Sequence, residues 1–132
     1  MLFRVLHTEE KDNIILVTGS TDCGTLKGIW KSSTLPAVGK TYNTELTFGL
    51  RTSAVDRSDI VIGHSQISAV ISTTEDSTIF TGCCEEIDDI YYIRFSPDAL
   101  EMLEIKNDDQ TIKEGDYITF SLRSDDIGIY PY

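Results

Sequence analysis

The 132-residue chain is short of the residues that most often announce chemistry. It holds two histidines, His7 and His64, so general acid–base work has little to draw on. His7 closes an apolar run and His64 follows Gly63 in a loop, and neither belongs to a recognisable constellation. There is no GxSxG elbow and no HExxH pair. Gly19-Ser20-Thr21-Asp22-Cys23-Gly24 has the small residues of a phosphate loop but lacks its lysine and the helix after it, so it reads as a turn. Cys23, Cys83 and Cys84 are an odd number matching no zinc or redox spacing. They exclude a complete disulfide framework and read as reduced thiols packed like small apolar side chains. With only three prolines the chain does not look disordered, and no apolar run approaches the ~20 residues of a membrane helix. The start, MLFRVLHTEEKD, has too short an apolar run for a signal peptide and no small-residue cleavage site. The expectation is one cytoplasmic domain spanning 1–132, without membrane contact, metal, cofactor or catalytic residue. Scaling of surface with length predicts that roughly two-thirds of the unfolded surface is buried, enough for a core without staples.

What the sequence has in excess is negative charge, and it is lopsided. Twenty-two acidic residues against eleven basic give −11. Residues 1–74 hold seven of each and cancel, whereas residues 75–132 hold fifteen acidic and four basic and carry the whole imbalance. Such polarity predicts a negative face suited to a cationic protein. It disfavours direct nucleic-acid binding, which rests on Lys and Arg. The densest run is Cys83-Cys84-Glu85-Glu86-Ile87-Asp88-Asp89-Ile90-Tyr91-Tyr92, four carboxylates where a hairpin turn belongs.

Period-two alternation dominates the pattern. Residues 2–6 and 14–18 predict a hairpin around the polar stretch 9–13, and residues 24–30 add a strand that Ser32-Ser33-Thr34-Leu35-Pro36 interrupts. Tyr42, Thr44, Leu46 and Phe48 share one face of the next strand, with Asn43, Glu45 and Thr47 on the other. Residues 49–65 lack periodicity and read as a long loop with a short strand over 59–62. Residues 67–72, 78–86 and 90–95 predict an antiparallel meander with turns at 74–77 and 85–89. Ser96-Pro97-Asp98 has the marks of a helix start: a capping hydroxyl, a first-turn proline and an acid at the positive dipole end. Ala99, Leu100, Met102 and Leu103 supply an apolar face, so one short helix is expected at about 97–105. Strands over 117–123 and 127–130 close the chain. The absence of βαβ units predicts a mainly β fold: a single-domain antiparallel β-barrel or strongly curved sheet, an OB-like barrel among the options.

Carboxylates at a solvated turn have no reason to carry raised pKa values, and no Gly-centred loop has the oxygen spacing of a calcium site. Tyrosine offers a different signal, because it buries area while keeping a polar tip and is favoured at interface centres. The candidate partner-binding residues are therefore Glu85, Glu86, Asp88, Asp89, Tyr91, Tyr92, Asp125, Asp126 and Tyr130. Two alternatives stand beside this one. A barrel mouth lined by Trp30, Tyr42 and Phe48 would suit a small ligand, peptide or sugar. Mimicry of nucleic acid would need carboxylates spaced like phosphates along a rod.

Gly28-Ile29-Trp30, followed by Pro36-Ala37-Val38-Gly39-Lys40-Thr41-Tyr42-Asn43-Thr44-Glu45-Leu46, has the form G-x-W…P-x-x-G-x-x-Y-x-x-E-L. With the closing Gly128-Ile129-Tyr130-Pro131-Tyr132, it resembles small β-rich immunity proteins of bacterial polymorphic toxin systems, including contact-dependent growth inhibition. The resemblance implies a cytoplasmic protein that binds and neutralises one cognate toxin domain. It carries over no inhibitory residue, since the shared positions are a turn, a rim Trp and a strand.

Overall fold

The computed structural model describes residues 1–51, 54–63 and 69–132. His64, and Ile67 and Ser68 of the strand expected over 67–72, lie outside the described residues. Strands make up 62% of the structure against 5% in helical turns, so the fold is mainly β as the alternation predicts. The described strands are β1 (Leu2–Lys11), β2 (Ile14–Thr21), β3 (Gly24–Trp30), β4 (Thr41–Phe48), β5 (Val55–Asp56), β6 (Val61–Gly63) and β7 (Val70–Thr73). They continue as β8 (Ser77–Ile87), β9 (Ile90–Ser96), β10 (Ala99–Met102), β11 (Ile105–Lys106), β12 (Tyr117–Arg123) and β13 (Ile127–Pro131).

Five of these strands close on themselves. β1, β2 and β3 form an antiparallel meander, β13 lies parallel to β3, β4 is antiparallel to β13, and β4 returns to β1. The result is a closed five-strand barrel with one parallel pair, OB-like in its Greek-key closure. Alternation fills it: Phe3, Val5, Val17, Leu26 and Ile129 are buried, while Leu2, Arg4 and Leu6 point outward. On β4 the expected faces are realised, with Thr44 and Leu46 buried and Asn43, Glu45 and Thr47 exposed.

Between β4 and β13 the chain builds a second sheet continuous with the barrel. Its spine is β8, which carries β12 along one edge. The other edge is shared: β7 runs beside 78–81 and β9 beside 83–87. The stretch expected to be a simple meander is thus a branched arrangement, in which β7 ties β8 to β3 through the Gly24–Ile71 pairing. Phe48 of the barrel meets Phe80, Phe95 and Phe120 of the second sheet at 5.0, 6.3 and 5.9 Å between ring centroids, so the two layers share one core.

The helix expected at about 97–105 does not form. Ser96 donates its hydroxyl to the Asp98 carboxylate, Pro97 and Asp98 make an exposed turn, and 99–102 pair with β9 as β10. The local helix-start signal loses because a single apolar turn cannot repay nucleation, whereas an open edge of β9 offers cross-strand bonds at once. The other difference is in turn length. β1 and β2 run on to a two-residue turn at Asp12-Asn13, and β8 and β9 to one at Asp88-Asp89, with all four residues at positive φ.

Candidate protein-interaction surface

The β8–β9 hairpin presents the acidic run at its tip. Asp88 (φ 52°) and Asp89 (φ 64°) are both in the left-handed region that a two-residue hairpin turn requires. Asn-Gly meets that requirement with least strain, and aspartate tolerates it less well than glycine. Both side chains are exposed, as is Glu86.

Register assigns the remaining residues to faces. Glu85 stands opposite Tyr92, Cys83 opposite Arg94 and Ile87 opposite Ile90, all on the outer face, while Cys84 and Ile93 are buried beneath. Glu85 is not free charge: it is hydrogen-bonded to the Arg94 guanidinium, which also donates to the Pro97 carbonyl at 3.0 Å. Tyr91 and Tyr92 part company. Tyr91 packs against the core and donates its hydroxyl to Asp108 at 2.9 Å. Burial, reinforced by that carboxylate, pushes the Tyr91 hydroxyl up to about 12. Tyr92 faces outward, opposite Met102 of β10.

Chain segments remote in sequence add to the charge. Along the edge of β8 that β12 pairs as far as Cys83, the Cys84 N–H donates to the Asp116 carbonyl at 2.7 Å, and Glu114 lies against the Glu86 N–H. Asp108, Glu114 and Asp116 thereby join the four carboxylates of the hairpin, with Arg94 and Lys113 as the nearby cations. Among the described residues no three His, Cys, Asp or Glu side chains converge on a point that a metal ion could occupy, so the carboxylates form a spread surface.

The other candidates lie elsewhere. Asp125 and Asp126 sit in a short 3-10 turn, Ser124–Asp126, whose first N–H donates to Asp76 beyond the far end of β8. Asp125 accepts from Arg123 at 3.2 Å and stands 3.5 Å from Arg51. Asp126 is 3% exposed, and its carboxylate accepts from the Arg51 N–H. It anchors a loop and offers no surface to a partner, which corrects its assignment to the interface. Tyr130 is half-buried on β13 opposite Glu45, on the barrel and away from the hairpin. Glu75 and Asp76 also lie at that far end with Lys27 and Arg123, so the fifteen acids of the second half do not form one patch. Seven gather at the hairpin, whereas Glu75, Asp76, Asp109, Asp125 and Asp126 stand among Lys27, Arg51, Arg57 and Arg123, and Asp98 and Glu101 lie beside Met1.

The expected barrel mouth is not assembled either. Trp30 meets Tyr42 edge-on at 4.9 Å and is nearly buried, donating to the Thr34 carbonyl at 2.7 Å. Phe48 belongs to the aromatic core instead. His7 is an exposed side chain on β1. Ile87 and Ile90, 45% and 42% exposed on the hairpin's outer face, and Met102, 53% exposed on the neighbouring β10, are not among the residues that the sequence pattern singles out. Alternation through Cys84 and Ile93 is the signal that puts the first two outside; Met102 was hidden by the helix assignment.

No helix among the described residues is long and apolar enough to cross a membrane. Comparison with protein-family models, with curated proteins and with solved structures returns no match to this chain.

Proposed function

We propose that this protein is a cytoplasmic immunity protein that binds and neutralises a cognate cationic toxin domain, of nuclease type, without catalysis of its own. The observation that carries the reading is the β8–β9 tip: two exposed aspartates at positive φ, in a turn where Asn-Gly is the less strained choice. A pair of like charges at an exposed turn, with five more carboxylates close by, supports a role for charge at that spot. A domain that cuts nucleic acid needs a basic cleft, and a negative projection can occupy it. Complementary charge raises association rates by orders of magnitude and discriminates among partners.

The test is co-expression with the carboxy-terminal domain encoded by the gene immediately upstream in the native genome. Growth should be restored by the wild-type protein and lost with Glu86, Asp88 and Asp89 changed together to Lys. Growth unaffected by that reversal removes the hairpin from the interface.

A second reading, a small-ligand module, has one observation in its favour. An apolar cavity of about 280 Å³ is lined by Phe48, Val55, Met102, Leu103 and Leu122. It is at the lower limit of ligand pockets, which run from roughly 300 Å³. Chemical-shift changes confined to these residues on adding small apolar compounds would favour that reading.

A further inference from the structure

Ile87, Ile90, Tyr92 and Met102 form one continuous strip on the outer face of β8, β9 and β10. Ile87 is opposite Ile90, Tyr92 is opposite Met102, and Ile90 and Tyr92 are two residues apart on β9. Single exposed apolar side chains are ordinary, but a contiguous group with a polar rim marks a contact site. Here the rim is ionic: the Glu85–Arg94 pair on one side, Asp88 and Asp89 at the tip.

We infer that this strip is the anchor of the interface, and that its partner is a protein presenting an apolar recess ringed by Lys and Arg. The inference rests on the immunity reading and deepens it, because it says what holds the complex once charge has steered it together. The charge pattern chooses among occupants. A second copy of this chain would bring together two molecules of net charge −11, each with Asp88 and Asp89 at the end of its strip, and an anionic membrane or a nucleic acid would be repelled in the same way. A cationic protein is attracted, and its recess can desolvate the strip. The two parts then divide the kinetics. The tip governs the association rate and its salt dependence, while the strip governs dissociation.

The experiment measures binding kinetics at low and high salt against the catalytically inactivated carboxy-terminal domain of the upstream gene. The strip variants are I87S/I90S, the milder Ile90→Thr, and Met102→Ser on a different strand. The tip variant is D88N/D89N, and Val61→Ser, 66% exposed on β6, is the control. Melting curves establish that each variant is folded, and Ile90→Thr, which keeps a strand-forming residue, stands in if the double variant is not. Strip variants should dissociate about tenfold faster or more with near-constant association, as buried apolar anchors do. The tip variant should associate more slowly at low salt, and Val61→Ser should match wild type. Unchanged dissociation in all strip variants, with slowed association in the tip variant, overturns the strip and leaves the immunity reading standing. No binding by the wild type overturns both. A strip-dependent homodimer in sedimentation overturns the choice of partner.

Discussion

The Glu101 carboxylate, on β10, accepts a hydrogen bond from the backbone N–H of Leu46, on β4, at 3.2 Å. Thr44 on the same edge of β4 donates to the Met1 carbonyl, but β1 begins there, so the next N–H along, that of Leu46, has no strand to bond to. Glu101 supplies the acceptor and thereby stitches the second sheet to the barrel, in a polar cleft of about 270 Å³ shared with Glu45, Asp98 and Met1.

That position makes stability depend on pH. Burial pushes the Glu101 carboxyl up to about 7, against the opposing pull of the Leu46 N–H, with Glu45 adding to the rise and the Met1 ammonium offsetting it. An unfolded glutamate titrates near 4.3, so between about 4.3 and 7 the folded state holds the extra proton. The stability gained this way is complete below pH 4 and is lost as pH climbs through 7, amounting to roughly 3–4 kcal/mol. Asp98, held low by the Ser96 hydroxyl and the Met1 ammonium, acts in the opposite sense. Comparison with E101Q isolates Glu101, because glutamine keeps the acceptor and cannot ionise. In urea melts from pH 4 to pH 8.5, E101Q should gain on wild type by roughly 3 kcal/mol across the range. Parallel curves would sink the assignment.

The hairpin tip should trade stability for rate. Replacing Asp88-Asp89 by Asn-Gly relieves a strained φ at residue 89 and removes two like charges, so the melting midpoint should rise, by about 1 kcal/mol in stability. Association with a cationic domain should slow at low salt, and the difference should shrink at high salt. A variant that gains stability and keeps its association rate would mean that the charge at the tip has no steering role.

How far the fold could be read in advance follows from which signals are local. Thr44 and Leu46 against Asn43 and Glu45 alternate strictly, and the structure buries and exposes them accordingly. The segment 96–105 misled because Ser96, Pro97 and Asp98 satisfy helix-start chemistry in isolation; only the open edge of β9, absent from any short window, selects a strand. The site divides in the same way. The acidic turn is visible in ten residues, whereas the approach of Asp108, Glu114 and Asp116 to it depends on β12 pairing with β8 across more than 30 positions of chain. Charge counted by halves of the sequence overstated the patch, since Asp125 and Asp126 are spent on Arg51, Arg123 and a backbone N–H.

Gly24 should prove the least replaceable glycine at the junction of barrel and second sheet. It has φ 133°, and a methyl group there would lie 1.9 Å from the Ile71 carbonyl oxygen, where β7 meets β3. Backbone must move to admit it, and the bond from the Ile71 N–H to the Cys23 carbonyl, 2.8 Å, is in the way. Gly24→Ala should cost about 3 kcal/mol or more in urea melts. Gly39→Ala is the control: its φ of 89° is also left-handed, but nothing lies within 4 Å of the added carbon. Its cost should stay near 1–2 kcal/mol. Equal costs would show that the contact with Ile71 is not what matters.

The adjacent cysteines give a direct report on the outer face. Cys84 is fully buried and its thiol is pushed up to about 12, chiefly by burial. Cys83 points the other way, opposite Arg94 and beside Glu85, half-exposed, with burial and the Glu85 carboxylate raising its thiol more modestly. Thiolate is the reactive form, so labelling of the native protein should be slow at pH 7 and faster at pH 9, with Cys84 silent until unfolding. Cys23, whose thiol donates to the Phe95 carbonyl at 3.1 Å, lies on the barrel side and serves as an internal reference. If the strip on β8, β9 and β10 is the contact surface, a bound cationic domain should protect Cys83 while the rate at Cys23 stays constant. Mass spectrometry of labelled peptides separates the sites, and equal rates at Cys83 with and without partner would move the interface off this sheet.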